Sequence, residues 1–372
     1  MKILYYFPEQ SNPMMQWQRV HFIDELSRYN IEFEVFNPLL FNSVDDACQE
    51  LVKHIKSQKY DLFLANLCNE LHIHAAAVDE IRRMGLPAMS FRSDNLSMPY
   101  NDKEMATHFD LLWLTSKETQ HLYDHWGAKT MFAPFAANPF VYKYEQGELI
   151  RKACFIGTPY GSRAKMINTI SRGGNPVDLY FGRNKNTPPP VEDKIEIKYT
   201  LPFHSSKVVY WNRLKYHEGR KLVLSSFINK LSKGQVLDKN ANVTIQPSVP
   251  FDDMVRFYTN YALAISFTST ETSDVLRHPV GRTFLRTFEV PMAGGIQICR
   301  YFDELNNYFE DGKEIIMYKT DEELVEKTNF ILTKATDADI IKMKEAARMR
   351  SENEHTWMNR FKIAFDRLGL KY

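Results

Sequence analysis

The sequence predicts an α/β protein built from two doubly wound, parallel-sheet domains in tandem. Three observations lead there. Short apolar runs alternate with longer amphipathic segments along the whole chain, the pattern of strands and the helices that cover them. Each half holds six such runs, and near-continuous apolar strands belong to a parallel sheet buried on both faces. With 372 residues and 44% hydrophobic content, the chain has the material for two cores rather than one.

In the first half the strands are "KILYYF", "IEFEVF", "YDLFLAN", "PAMSFR", "DLLWL" and "KTMFA". Between the first two, residues 14–29 read as a helix with Trp17, Val20, Ile23 and Leu26 on one face and Asn30 as its stop. The stretch "APFAANPFVYKYEQGEL" has Pro134, Pro139 and Gly147 and no clear period, and reads as a linker. The second half repeats the theme with "ACFIG", "VDLYFG", "NVTI", "ALAISF", "GIQIC" and "EIIMY". Thr320, with Glu323 three residues on, is a capping box opening a further helix. The expected domains are 1–140, 151–350, and a segment 351–372 that crosses back to the first.

The three prolines at 188–190 mark a loop, and the segment after them, to about 240, reads as an insertion. It carries a basic helix over 206–233 with Lys207, Arg213, Lys215, Arg220, Lys221, Lys230 and Lys233, and with Tyr210 and Trp211 near its start. Two readings stand: a solvated face, or contact with an anionic membrane surface or acceptor.

A formal net charge of +1 argues against a nucleic-acid partner, whose phosphates call for a basic excess. Cys48, Cys68, Cys154 and Cys299 lie far apart, without a CxxC pair, so neither a zinc knuckle nor a disulfide framework is expected. The apolar run of "MKILYYFPEQ" is too short for a secretion signal, and no stretch approaches a membrane span. The expectation is a cytoplasmic protein, with peripheral contact at the inner face of a membrane as its extension.

The segment "HPVGRTFLRTFEVPMAGG" carries the most chemistry. It reads as a helix starting at Gly281, whose lack of a side chain lets a ligand approach, with the N–H groups of Arg282 and Thr283 aimed at an anion. Arg282 or Arg286 would add a charge-assisted bond to phosphate. Glu289 falls near the same face, and a carboxylate accepts well from two vicinal hydroxyls. Diphosphate at the helix start and ribose on Glu289 together describe a nucleotide. Pro291, Gly294 and Gly295 then turn the chain into the next strand.

From about 281 to 356 the chain resembles the carboxyl-terminal domain of glycosyltransferases of the GT-B fold, nearest to the CgeB-like, spore-maturation type related to glycosyltransferase family 4. The pattern R-x-F-E-x-P-x-x-G-G is met by Arg286, Glu289, Pro291, Gly294 and Gly295. Glu310, Gly312, Lys313 and Glu314 follow, and His355 to Trp357 close it. The resemblance implies two Rossmann-like domains facing across a cleft and transfer of a sugar from a nucleotide-diphosphate donor. The acceptor would be a hydroxyl on a glycan, a lipid-linked glycan or a small molecule, in bacterial cell-surface polysaccharide biosynthesis. In "CFIGTPYGSRAKMI", it places Gly157 and Arg163 near the donor phosphates. In "FRSDNLSMPY", it places Asp94 on the acceptor side, and Asp94 and Arg286 are the two candidate catalytic residues. The chain departs from family 4 at Gly281, where a second glutamate is common; Glu271 is the nearby acid, at a different spacing. Retention at the anomeric carbon is therefore not implied.

Other motifs point elsewhere or nowhere. His72 with His74, and His121 with His125, lack a third metal ligand. Asp337 and Asp339 form a D-x-D just before "IIKMKEAARMR", a place that suits helix capping better than manganese. The expectation is a metal-independent reaction without cofactor, in which helix N-termini and arginine hold the leaving diphosphate. The first loop lacks G-x-G-x-x-G, against a dinucleotide oxidoreductase; Gln18 and Arg19 are its acceptor-side candidates. A nucleotide-sugar epimerase and a non-catalytic glycan- or nucleotide-binding protein are the alternatives on the same fold.

Overall fold

Every apolar run read as a strand lies in one of two parallel sheets, each of six strands. The computed structural model describes residues 1–10, 17–182, 196–231, 236–239 and 242–372, with backbone alone at 251 and 252. The first sheet joins β1 (Lys2–Tyr6), β2 (Glu32–Phe36), β3 (Leu62–Ala65), β4 (Ala88–Arg92), β5 (Leu111–Leu114) and β6 (Thr130–Phe132) in the order β2-β1-β3-β4-β5-β6. The second joins β7 (Ile150–Ile156), β8 (Val177–Tyr180), β9 (Val243–Gln246), β10 (Tyr261–Ile265), β11 (Gln297–Arg300) and β12 (Ile316–Tyr318) in the order β12-β11-β10-β7-β8-β9. Strand order reverses between β1 and β3 and between β7 and β10. In doubly wound sheets such a reversal opens a crevice beyond the carboxyl ends of the strands, because the flanking connections leave on opposite faces.

Among the described residues the helices are α1 (Asp24–Ser27), α2 (Val44–Ser57), α3 (Ala75–Arg83) and α4 (Gln120–His125), then α5 (Ser162–Arg172), α6 (Ser206–Arg213), α7 (His217–Leu231) and α8 (Phe251–Asn260). The last four are α9 (Leu285–Met292), α10 (Asp321–Asn329), α11 (Asp337–Glu354) and α12 (Trp357–Leu368). Two caps match their sequence reading. Thr320 Oγ1 accepts from the Glu323 N–H at 3.2 Å, and Thr336 and Asp339 form a reciprocal box at the start of α11. The expected helix 14–29 extends into residues outside the described set. From Arg19 it is a wide π-turn, Arg19–Ile23, that runs into α1 and ends where Asn30 takes a left-handed φ of 59°.

The chain divides into two compact units. One comprises 1–134, 190–220 and 357–372, the other 135–189 and 221–356. In the first, Leu4, Tyr6, Phe63, Leu112 and Leu114 of the sheet pack against Leu51, Ile55, Val78 and Ile81 of α2 and α3. In the second, Phe155, Leu263 and Ile298 pack against Ile167, Ile170 and Leu324 of α5 and α10.

Three expectations are corrected here. The segment expected within a 151–350 domain is split, because its described part up to Arg220 is tied to the first unit: Tyr216 Oη donates to the Leu96 and Ser97 carbonyls at 3.0 Å each, and Lys198 N to Leu39 O at 2.9 Å. The basic helix is two helices, α6 and α7. The buried Tyr216 turns the chain inward, and at Gly219 a Cβ would lie 2.2 Å from the Arg213 carbonyl, so only glycine permits that approach. Lys233 and the prolines at 188–190 lie outside the described residues. The third correction concerns the linker, much of which is packed: Phe135, Ala136, Ala137, Asn138 and Tyr142 are buried, and Arg348 of α11 donates to the carbonyls of Pro139 and Tyr142.

Candidate functional site

The reversal between β7 and β10 brings two connections together in the second unit. β7 leads through Gly157 into α5, and β10 leads through residues 266–284 into α9. At the first, Gly157 has φ +139°, a conformation side chains rarely adopt, and a Cβ there would sit 3.6 Å from Nη1 of Arg286. Arg286, in the first turn of α9, donates through Nη1 to the Ile156 carbonyl just ahead of that glycine. Arg163, in the first turn of α5, is close enough to Arg286 that the two cations repel; burial, followed by that repulsion, lowers the Arg163 pKa. Aromatic rings support both. Arg163 lies 4.5 Å from the Tyr160 ring and 5.5 Å from Phe267, Arg286 lies 6.0 Å from Phe155, and Phe155 meets Phe267 edge-on at 5.2 Å. Two like charges held this near each other at a turn that excludes a side chain make an anion-binding arrangement.

Glu289 follows Arg286 by three residues on α9 and is only 5% exposed. Its Oε1 accepts from Tyr142 Oη at 2.6 Å. The tyrosine hydroxyl is raised well above its usual pKa by burial, by the Glu289 charge and by that hydrogen bond, with Arg286 opposing. The neighbouring Tyr258 is likewise raised, chiefly by burial.

The end of α9 explains how Pro291 is tolerated. Proline has no N–H for the Thr287 carbonyl four residues back; Gln297 of β11 supplies the missing donor, Nε2 to O at 3.0 Å. Gly294 then takes φ +70°, and a Cβ there would fall 2.3 Å from Tyr144 Cδ2. A Cβ on Gly295 would lie 2.9 Å from the Tyr258 carbonyl. The tight turn read from these residues is present.

The helix start is a correction. α9 begins at Leu285, not at Gly281. Gly281 to Thr283 form one arm of a hairpin: Ser269 and Gly281 bridge, the Thr270 N–H donates to Val280 O, and the Arg282 N–H donates to Thr268 O, both at 2.8 Å. The Arg282 amide is therefore committed to the hairpin rather than aimed at an anion. Its side chain is buried, 4.8 Å from the Phe284 ring and 6.0 Å from Phe135. Gly281 is small for a different reason, since a Cβ would press within 2.7 Å of the Phe302 ring. Thr283 is buried, and its hydroxyl makes no hydrogen bond among the described residues. Near the hairpin tip, Glu271 is, among the described residues, one of two non-glycine residues with positive φ, at 51°.

In the first unit Asp94 is exposed just beyond β4, in a turn whose Ser97 and Met98 amides both donate to its carbonyl at 3.1 Å. Gln18 is buried, and Arg19 pairs with Glu9 at 2.6 Å. His72 Nε2 meets the Pro202 carbonyl at 2.7 Å, and His74 meets Asp45 and Glu70 at 3.0 and 3.1 Å. Among the described residues no three His, Cys, Asp or Glu side chains form a metal-binding group. Sequence reasoning missed Tyr142 and Tyr258 beside Glu289, and Tyr160 beside Arg163. Tyr142 lies in an aperiodic stretch 147 residues before its partner, so no local spacing could reveal it.

Residues 214–366 match the glycosyl transferase-like family. No curated protein sequence matches this chain. Solved structures share its fold over nearly the whole length at low identity. HepE from Anabaena in complex with UDP and glucose has a TM-score of 0.58 at 14% identity, covering 100% of both chains. A sucrose-phosphate synthase from Thermosynechococcus elongatus has a TM-score of 0.54 at 9% identity, covering 99% of this chain and 98% of that one. A UDP-forming α,α-trehalose-phosphate synthase from Burkholderia vietnamiensis also has a TM-score of 0.54, at 10% identity, covering 99% of both. The chain has the GT-B fold of glycosyltransferases, and its residues 214–366 are similar to a glycosyltransferase-like domain.

Proposed function

From that fold and that domain, we propose that the chain transfers a sugar from a nucleoside-diphosphate sugar to a hydroxyl acceptor. The observation that carries this is the meeting of Arg163 and Arg286 at Gly157, with Glu289 one turn further along α9. Diphosphate charge develops as the sugar–phosphate bond breaks, and fixed guanidinium groups stabilise that charge without having to reorganise. Their presence supports a reaction that needs no divalent ion. Glu289, already positioned by Tyr142, is suited to accept from the ribose hydroxyls. The structures in complex with UDP and glucose, and the UDP-forming synthase, support a nucleotide-sugar donor.

The finer parts of the proposal rest on the pattern from Arg286 to Gly295 and from His355 to Trp357. They are the CgeB-like subtype, a bacterial cytoplasmic setting, and an acceptor that is a glycan or lipid-linked glycan in cell-surface polysaccharide assembly. Asp94 is the acceptor-side carboxylate in this proposal, since it lies exposed at the carboxyl end of its sheet. The experiment is a panel of UDP-, GDP-, ADP- and dTDP-sugars with the purified chain, scored for calorimetric binding and for release of nucleoside diphosphate. Binding and release with one base class is the expected result. An absence of binding to every member would refute the donor assignment, and binding without bond cleavage in any acceptor mixture would leave a nucleotide-binding protein.

A further inference from the structure

Leu149, just ahead of β7, and Thr259, just ahead of β10, line a cavity of about 170 Å³ with Tyr144, Ile341 and Lys344. The cavity lies wholly within the second unit, at the opposite end of its sheet from Gly157. Exposed Gln146 and Gly147 stand at its mouth. One face of α11 forms the floor, since Asp337, Ile341 and Lys344 follow each other at offsets of four and three.

Lys344 is only 3% exposed. Its Nζ donates to the Thr259 carbonyl in the last turn of α8, an acceptor that a helix end offers to a lysine. An ammonium has three N–H donors, and this bond uses one. Among the described residues no carboxylate pairs with it, and Asp337, the one acid lining the cavity, is engaged by Arg151. Burial brings the Lys344 pKa down to about 8, with Cys154 opposing, so at neutral pH the group is still mainly an ammonium. A buried charge without a counter-charge is costly, and the open side from which one can arrive is the cavity. Tyr144 is a second donor there. Its hydroxyl is buried and makes no hydrogen bond among the described residues, and burial, followed by the Glu345 charge, raises its pKa so that the proton stays on.

We infer that this cavity binds a small monocarboxylate, whose oxygens accept from Lys344 Nζ and Tyr144 Oη while its alkyl part rests on Leu149 and Ile341. Size sets one limit: a cavity of about 150 Å³ holds a benzene molecule, so the ligand has about six non-hydrogen atoms or fewer. Charge sets the other. Asp337 at the rim and Glu345 near Tyr144 repel a second negative charge, which disfavours a dianion such as hydrogen phosphate. The site is separate from the donor site, which lies beyond the carboxyl ends of the same strands.

The test titrates the whole chain, without nucleotide and at constant ionic strength, with carboxyl-labelled acetate and butyrate observed by carbon NMR. Chloride and inorganic phosphate serve as comparisons. Saturable binding of both carboxylates, tighter than that of either comparison ion, is expected. Losing one hydrogen bond to a charged group weakens binding by about tenfold or more, so K344M and Y144F should each lose at least that much. Y144F should also melt like the parent, because the hydroxyl it removes has no hydrogen bond to lose. An absence of saturable binding, or chloride or phosphate binding as well as acetate, would overturn the inference. So would acetate binding that K344M leaves intact, which would lie elsewhere, or a Y144F variant that binds like the parent.

Discussion

Replacing Glu289 by glutamine tests the ribose assignment with little disturbance of the fold. Alanine is the weaker choice, because it would delete the hydrogen bond by which the buried Tyr142 hydroxyl donates to Glu289 Oε1 at 2.6 Å, and a hydrogen bond to a charged group contributes about 1.5–3 kcal/mol by itself. Glutamine keeps an acceptor for Tyr142 while removing the charge and exchanging the other acceptor oxygen for an NH2 donor. A hydrogen bond to a charged group contributes roughly 1.5–3 kcal/mol and a neutral one roughly 0.5–1.5, so each ribose hydroxyl should lose about 1 kcal/mol. Two hydroxyls give about 2 kcal/mol, or about thirtyfold in affinity for the nucleoside diphosphate. Calorimetry with the parent nucleotide and its 2′,3′-dideoxy analogue, on both proteins, closes a double-mutant cycle. The analogue should be much weaker on the natural protein and nearly equal to the parent on Glu289→Gln. If losing the hydroxyls penalises both proteins equally, the carboxylate does not hold the ribose, and its role is to fix Tyr142 and the segment it belongs to.

Arg286→Ala and Arg163→Ala should each slow transfer by about 10²–10³, the usual loss for one oxyanion donor, whereas Arg282→Ala should lower the melting temperature with little effect on turnover, as its side chain is packed on Phe284; normal rates for both Arg163 and Arg286 variants would remove the diphosphate from this site. Two buried ionisable groups set opposite pH slopes. Burial pushes Glu25 up to about 8, so the folded state holds a proton that the unfolded chain releases near 4.5, and stability should fall as pH rises between those values; Glu25→Gln should flatten chemical-denaturation midpoints measured across that window. Burial brings Lys344 down from 10.5 to about 8, so stability should rise between pH 8 and 10.5 by roughly 3 kcal/mol, and Lys344→Met should abolish that rise.

The strands were legible because a parallel sheet covered on both faces demands unbroken apolar runs, such as Leu62–Ala65 and Leu111–Leu114, all buried. Arg286, Glu289 and the two glycines were legible because their relations span only a few residues of one helix and its turn. What the sequence concealed is pairing at a distance. Thr268 and Arg282 are fourteen residues apart, and nothing in their local spacing says that the amide of one will be spent on the carbonyl of the other. The break between α6 and α7 was hidden for a related reason: it is made by Tyr216 reaching the carbonyls of Leu96 and Ser97, about 120 residues away, with no proline at the bend. Tyr142 was passed over because apolar content without a period looks like a linker until its partner is known.

The placement of Trp357 bears on how the molecule is made. Its ring meets Phe22 at 4.6 Å and lies 6.0 Å from both Phe91 and Trp113, while Glu25 Oε1 accepts from the Met358 N–H at 2.7 Å. These partners all belong to the unit synthesised first, yet the residues that cover them come off the ribosome some 220 positions after β6. During that interval, on the order of tens of seconds at ordinary elongation rates of about 5–20 residues per second, Phe22, Phe91 and Trp113 lack their cover, while residues 221–356 can complete a unit of their own. The unit begun by residues 1–134 is thus completed only when residues 357–372 arrive. A nascent chain stalled before residue 357 would present an aromatic surface for chaperones to hold, and a circular permutant that begins with α12 should need them less.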